Sequence, residues 1–153
     1  MKNIFYILFF IVIFFAITFV RRQKRDIYFI PSYVPDGYVL EELDNNVVSG
    51  SMGLGYMIKF QNGLQNSLEI TTYKEPIEYM DTCKNGDIGK FRNVKIIAEN
   101  GIDLCSYEYV DVYTNRQYYL NRDGKTVRII DNGFSLNQET VIKMVNSLTK
   151  KYW

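Results

Sequence analysis

Seventeen consecutive residues without a charge, Ile4 to Val20, constrain this chain more than anything else in it. The run carries six phenylalanines. At ~1.5 Å per helical residue it reaches roughly 26 Å, close to the shortest helix that crosses a bilayer. A core helix of this length would need a polar stripe, and none is present. The run is therefore expected to be a membrane span that contacts lipid through residues 4–20. Ala16-Ile17-Thr18 is followed by Phe19, Val20 and Arg21, which is not the small-residue pattern of a cleavage site, and no cysteine stands nearby to be lipidated. Residues 1–26 read as a retained single-pass anchor, and 27–153 as one domain.

Two signals disagree on orientation. Lys2 alone precedes the run, whereas Arg21, Arg22, Lys24 and Arg25 follow it, and that asymmetry would leave the domain in the cytoplasm. The signal-like start and a pair of cysteines beyond the span favour the outside, and an extracytoplasmic domain is the expectation here. The basic cluster also suits anionic lipid headgroups on either side.

The chain holds no histidine, which removes Ser-His-Asp and Cys-His catalysis, His-ligated zinc and an imidazole pH switch. Beyond residue 26 there are 13 basic and 16 acidic side chains, a net charge of −3, so nothing supports a surface that tracks nucleic acid. Twelve tyrosines lie in the same region, in keeping with strands that have one solvated face.

Pro31 and Pro35 forbid a helix at the entrance to the domain, and Pro35-Asp36-Gly37 has the residues of a tight turn. Tyr38 to Leu43 reads as a strand and Asp44 to Gly55 as a loop. Alternation then marks strands at Tyr56–Phe60 and Leu68–Tyr73. A short helix is expected from Pro76 through Ile77, Met80 and Cys83 to Asn85-Gly86. Val94–Ala98 and Ile102–Val110 flank Asn100-Gly101, and Gln117–Arg122 and Thr126–Asp131 flank Asp123-Gly124, as in two hairpins. Ser135 stands at capping-box spacing from Gln138, and Val141, Met144, Val145 and Leu148 trace an apolar stripe that predicts a helix to about Lys150. The expected class is α+β: an antiparallel sheet of about six strands with a C-terminal amphipathic helix packed on it.

The order of PSYVPDGY, GYMIKF, SLEITTY, VKIIAENGIDLCSYEY, RQYYLNRDGKTVRI and SLNQETVIKMVNSL resembles the Gram-positive domain of unknown function numbered 4367 across roughly residues 30–149. The most specific pieces are Pro35-Asp36-Gly37-Tyr38, Asn100-Gly101 and Asn146-Ser147-Leu148. Such domains commonly sit outside the cytoplasmic membrane behind a single span. The chain departs from them at Tyr118-Tyr119-Leu120, where a tryptophan is usual. The resemblance implies a location and a fold and carries over no catalytic residue.

Cys83 and Cys105 are the complete cysteine inventory. They form either a disulfide, which would stabilise by about 3 kcal/mol on loop entropy, or two separate buried thiols. Two thiolates without histidine fall short of a metal site, and no cofactor is expected. Gly50-Ser51-Met52-Gly53-Leu54-Gly55 lacks the lysine and the following helix of a phosphate loop. Glu41 and Glu42 fall on opposite faces of a strand, and Asp131-Asn132-Gly133 has turn chemistry without the ligand spacing of a calcium loop. Tyr107, Tyr109 and Tyr119 form either core or an exposed aromatic binding patch, depending on register. The expected function is non-enzymatic: a binding or sensing domain for an envelope ligand. The alternative is an interaction protein acting through its span on another membrane protein, with the domain as spacer.

Overall fold

The computed structural model describes residues 26–48, 53–63, 66–75, 77, 79–99 and 101–152, with single positions 11 and 13. The span expected at 4–20 and its basic flank lie outside the described residues, as do Gly50 to Met52, Pro76 and Asn100. No helix among the described residues is long and apolar enough to cross a membrane.

The elements run β1 (Ile27–Pro31), β2 (Val39–Val48), β3 (Leu54–Asn62), β4 (Asn66–Tyr73), α1 (Met80–Asn85), β5 (Phe91–Glu99), β6 (Ile102–Tyr109), β7 (Asn115–Arg122), β8 (Lys125–Asp131), α2 (Gln138–Asn146) and β9 (Leu148–Tyr152). Seven strands form one antiparallel sheet in the order β2-β3-β4-β8-β7-β6-β5, and β1 pairs with β9 in a separate ribbon. The molecule is thus mostly antiparallel β-structure with two short helices. Every strand read from alternation overlaps a strand of the large sheet, and the loop expected over Asp44–Gly55 is overrun at both ends, because β2 runs on to Val48 and β3 starts at Leu54. Both edges of this sheet are interrupted by bulges, at Leu40/Glu42 and Asp44/Val47 in β2 and at Arg92/Lys95 in β5. Such interruptions hinder edge-to-edge pairing with another chain. The first also breaks the simple alternation expected at Glu41-Glu42, both of which are exposed.

Two expectations fail at the C-terminus. The amphipathic helix stops at Asn146 instead of near Lys150, and Leu148–Tyr152 becomes a strand. The Ser147 hydroxyl donates to the Met144 carbonyl at 2.7 Å, and the Ser147 carbonyl accepts the Ser32 amide at 3.0 Å. A longer helix would leave the backbone of β1 without its ladder, a larger loss than one more turn of helix would offset. The cap also differs. Asn137 Oδ1 accepts the Thr140 amide at 2.8 Å, while the Ser135 amide and hydroxyl turn back to Asp131 at 3.2 and 3.1 Å.

Register assigns the two faces of the large sheet. Leu68, Ile70 and Thr72 lie beside Asp131, Ile129 and Val127, then Leu120 and Tyr118 of β7, Ser106 and Leu104 of β6, and Lys95 and Ile97 of β5. This face packs against Val141, Ile142, Met144 and Val145 of α2 and against Phe29 and Leu148 of the ribbon. The ribbon is fixed by the Phe29 amide, which donates to Thr72 Oγ1 at 3.0 Å. On the reverse face α1 covers Cys105, Tyr107 and Tyr119.

A candidate ligand groove

Alternation within Ile102–Tyr109 sends Leu104, Ser106 and Glu108 to the α2 face and Cys105, Tyr107 and Tyr109 to the reverse face. The two groups meet different fates. On the reverse face Tyr107 and Tyr119 are buried and Tyr109 is half-buried. Tyr79 stacks on Tyr119 with centroids 5.3 Å apart, Tyr119 on Tyr107 at 5.6 Å, and Phe91 meets Tyr107 edge-on at 4.8 Å. The Tyr107 and Tyr119 rings are core, so they do not form an open aromatic patch with Tyr109. Cys83 and Cys105 are joined in a disulfide with Cα atoms 5.8 Å apart, tying α1 to β6 over these rings. Burial raises the Tyr107 phenol well above its ordinary value and pushes Tyr79 up to about 12.

On the α2 face the helix covers the sheet only in part. Beyond its N-terminus, over β5, β6 and β7, lies a groove of about 460 Å³ lined among others by Lys95, Ile97, Ser106, Glu108, Arg116 and Tyr118, with Gln138 of α2 forming a wall. Its floor runs from the apolar Ile97 through a polar row at Lys95/Ser106/Tyr118 to an ion-paired row at Glu108/Arg116.

The charged row is built tightly. Arg116 donates to Glu108 Oε1 at 3.0 Å and to the Leu136 carbonyl at 3.2 Å, with its guanidinium 5.0 Å from the centre of the Phe134 ring. Asn93 donates its amide to the other Glu108 oxygen at 2.7 Å. Asn93 reaches it because the β5 bulge places its backbone at φ 53°, a left-handed conformation that asparagine tolerates. The freed amide of Val94 is taken by Asp87 at 2.9 Å. Burial opposes the charge of Arg116, yet hydrogen bonds to Glu108 and Tyr118 outweigh it and hold the guanidinium pKa above its usual value. Burial raises the Tyr118 phenol against the pull of Arg116.

The middle row is less complete. Ser106 is 2 % exposed, and its hydroxyl makes no hydrogen bond among the described residues. Lys95, directly opposite it on β5, is exposed and makes no ion pair among the described residues. Ser106 lines the groove, so its hydroxyl and the Lys95 ammonium can both meet a ligand's acceptor. The groove can therefore hold a molecule with a polar group against Lys95, Ser106 and Tyr118 and an apolar part along Ile97 and Val94.

Of the residues that line the groove only Tyr107, which reaches it from the reverse face, is singled out as a site residue by the sequence. The alternation of Leu104, Ser106 and Glu108 was the available signal, but the bulge that aligns Lys95 with Ser106 has no marker in the sequence. Among the described residues no group of three or more Cys, Asp or Glu side chains is placed to hold a metal. No family model matches the chain, and neither a curated protein nor a solved structure matches it.

Proposed function

We propose that the chain is a membrane-anchored, non-enzymatic binding or sensing module, held by residues 4–20 with its folded part outside the cytoplasmic membrane, and that the groove is its binding site. The observation that carries this reading is the groove itself, with Lys95, exposed and without an ion pair among the described residues, beside Ser106 and Tyr118 on its floor. The resemblance of residues 30–149 to the domain numbered 4367 points to the same location. Amide NMR of the full chain in detergent micelles, titrated with soluble cell-wall glycopeptide fragments, tests the site. Shifts should cluster at 93–97, 106–108 and 116–118 and vanish in Lys95→Glu; saturable shifts confined to the reverse face would place binding elsewhere.

Sidedness has a direct test in the cysteines. A membrane-impermeant maleimide should label intact cells only after reduction, with a Cys83→Ser, Cys105→Ser double variant as the blank. Labelling that requires lysis even in denaturant puts the domain inside.

The phenylalanine-rich run supports a second reading, in which the span contacts another membrane protein and the domain is a spacer. Exchange for an unrelated span separates the two: function kept removes the spacer reading, and function lost with insertion and folding intact removes the groove.

A further inference from the structure

The reading of residues 4–20 as a span also fixes which end of the folded part meets the bilayer. Asp26 is bound to the body of the domain: the Tyr56 hydroxyl donates to its carboxylate, and Lys74 lies 3.7 Å from the same oxygen. Six Cα steps separate Val20 from Asp26, a reach of at most about 21 Å when fully extended. The headgroup layer itself takes up roughly 5–7 Å of that. Four of the five intervening residues are Arg or Lys, which anionic headgroups draw inward.

The residues beside Asp26 suit such a surface. Ile27 pairs with Tyr152 and Tyr28 with Lys151, so the start of β1 and the end of β9 leave the ribbon together. Tyr152 is 57 % exposed, and Lys151 is exposed with no ion pair among the described residues. Lys150 lies 5.7 Å from the Tyr152 ring centre and 3.5 Å from Asp123, and Lys74 lies 5.2 Å from the Tyr56 ring centre. The acidic groups at this end include Asp26 and Asp123, both ion-paired, and the exposed Glu75; the exposed Glu99 and Asp103 stand at the same end of the sheet on the outer strands β5 and β6, away from the ribbon. Tyrosine with lysine is the pairing that membrane interfaces favour, an amphipathic ring at headgroup depth and a stem that snorkels. At the other end of the strands, about 26 Å away at ~3.3 Å per residue, stand Val112 and Tyr113, 84 % and 82 % exposed.

We propose that the ribbon end formed by Ile27, Tyr28, Lys151 and Tyr152 docks on anionic lipid headgroups and sets the domain upright, with the Val112–Tyr113 loop farthest from the membrane. The docking works on either side of the bilayer, since it depends on the span and on lipid charge alone.

The test uses the full chain in nanodiscs of phosphatidylcholine with about 30 % phosphatidylglycerol, carrying a headgroup spin label, and reads the paramagnetic broadening of backbone amides. Broadening at 27–29 and 150–152 should exceed that at 112–113 by several-fold. It should fall at the ribbon end in pure phosphatidylcholine and in Lys151→Glu, where exchanging a positive for a negative charge near the surface weakens partitioning by about five-fold or more. Equal broadening at both ends, or the strongest at 112–113, in a chain that resists alkaline carbonate overturns the docking and leaves the span standing. Extraction of the chain by carbonate overturns both.

Discussion

The two faces of the seven-stranded sheet are covered by helices of unequal means. On one side α2, nine residues long, buries Val141, Ile142, Met144 and Val145 against Leu68, Ile70, Val127 and Ile129. On the other α1 is six residues long and has no side-chain cap at its N-terminus. It contributes Cys83 to a cluster that is otherwise mostly tyrosine. A helix of six residues has almost no intrinsic stability. The longer helix is held without a covalent bond, by burial and by the turn that leads into it, whereas the shorter one is held by a covalent tie.

The largest effect expected on the α2 side is not in the aliphatic core but at Asp131, fully buried at the end of β8. Its carboxylate accepts the Gly133, Ser135 and Leu136 amides at 3.2, 3.2 and 2.8 Å and the Ser135 hydroxyl at 3.1 Å. These bonds shape the turn that delivers α2 to the sheet. Asp131→Ala strands several donors at once, and charge-assisted bonds are worth more than neutral ones, so a loss of about 4 kcal/mol is expected in urea unfolding. A loss below about 1 kcal/mol would mean that α2 docks without this turn.

On the reverse side the tie itself is the target. Cys83 and Cys105 are 22 residues apart, and opening that loop should cost about 3 kcal/mol. The location of the change sharpens the comparison more than its size does. In the Cys83→Ser, Cys105→Ser double variant, hydrogen exchange should accelerate across 80–85 and leave 141–145 protected. Equal acceleration in both helices would show that the faces do not differ in the way described.

Alkaline pH probes the same face without mutation. Burial raises the phenols of Tyr79, to about 12, and of Tyr107, while unfolded tyrosine ionises near 10. A raised folded value means that the stabilisation is complete below pH 10 and lost as pH climbs through 10 towards 12 and beyond. Phenolate absorbance should therefore rise in two stages, the second coinciding with loss of structure, and the double cysteine variant should reach the second stage at lower pH. A single stage near pH 10 with the fold intact would show that these rings are wet.

How far the sequence reveals this arrangement follows from the range of the interactions involved. Alternation is a nearest-neighbour property, and Tyr56–Phe60, Leu68–Tyr73 and Thr126–Asp131 are legible as strands from their own residues. The β1–β9 ribbon is not, since Pro31 in one strand and Lys150-Lys151 in the other are poor strand residues whose partners lie more than a hundred positions apart. The stripe through Val141, Met144, Val145 and Leu148 does predict α2, but its end depends on β1 needing a partner. The groove was hidden for a similar reason. Lys95, Ser106 and Tyr118 come from three strands, and only the bulge at Arg92/Lys95 brings the first into line with the second. Asp131 was legible as turn chemistry; the four bonds it accepts were not.

The smallest effects come from the polar contacts that thread the tyrosine cluster, and they rank within themselves. Gln117 Oε1 accepts from the Tyr119 hydroxyl at 3.0 Å and from the Tyr107 hydroxyl at 3.4 Å, while its Nε2 donates to Asn115 at 2.9 Å. Tyr119→Phe removes one donor and leaves the acceptor still occupied by the other, so it should cost about 1 kcal/mol or less. Gln117→Leu takes this acceptor from both phenols in a site where Tyr107 and Tyr119 are 4 % and 1 % exposed, and the loss of two buried hydrogen bonds should cost about 2 kcal/mol. If Tyr119→Phe proves the costlier of the two, the glutamine is not the hub of the cluster, and stacking with Tyr79 and Tyr107 does not survive loss of the hydroxyl. If both changes are silent, the disulfide alone holds this face together, and the contrast with the α2 side becomes one of a covalent tie against burial, with no polar contribution on the tyrosine side.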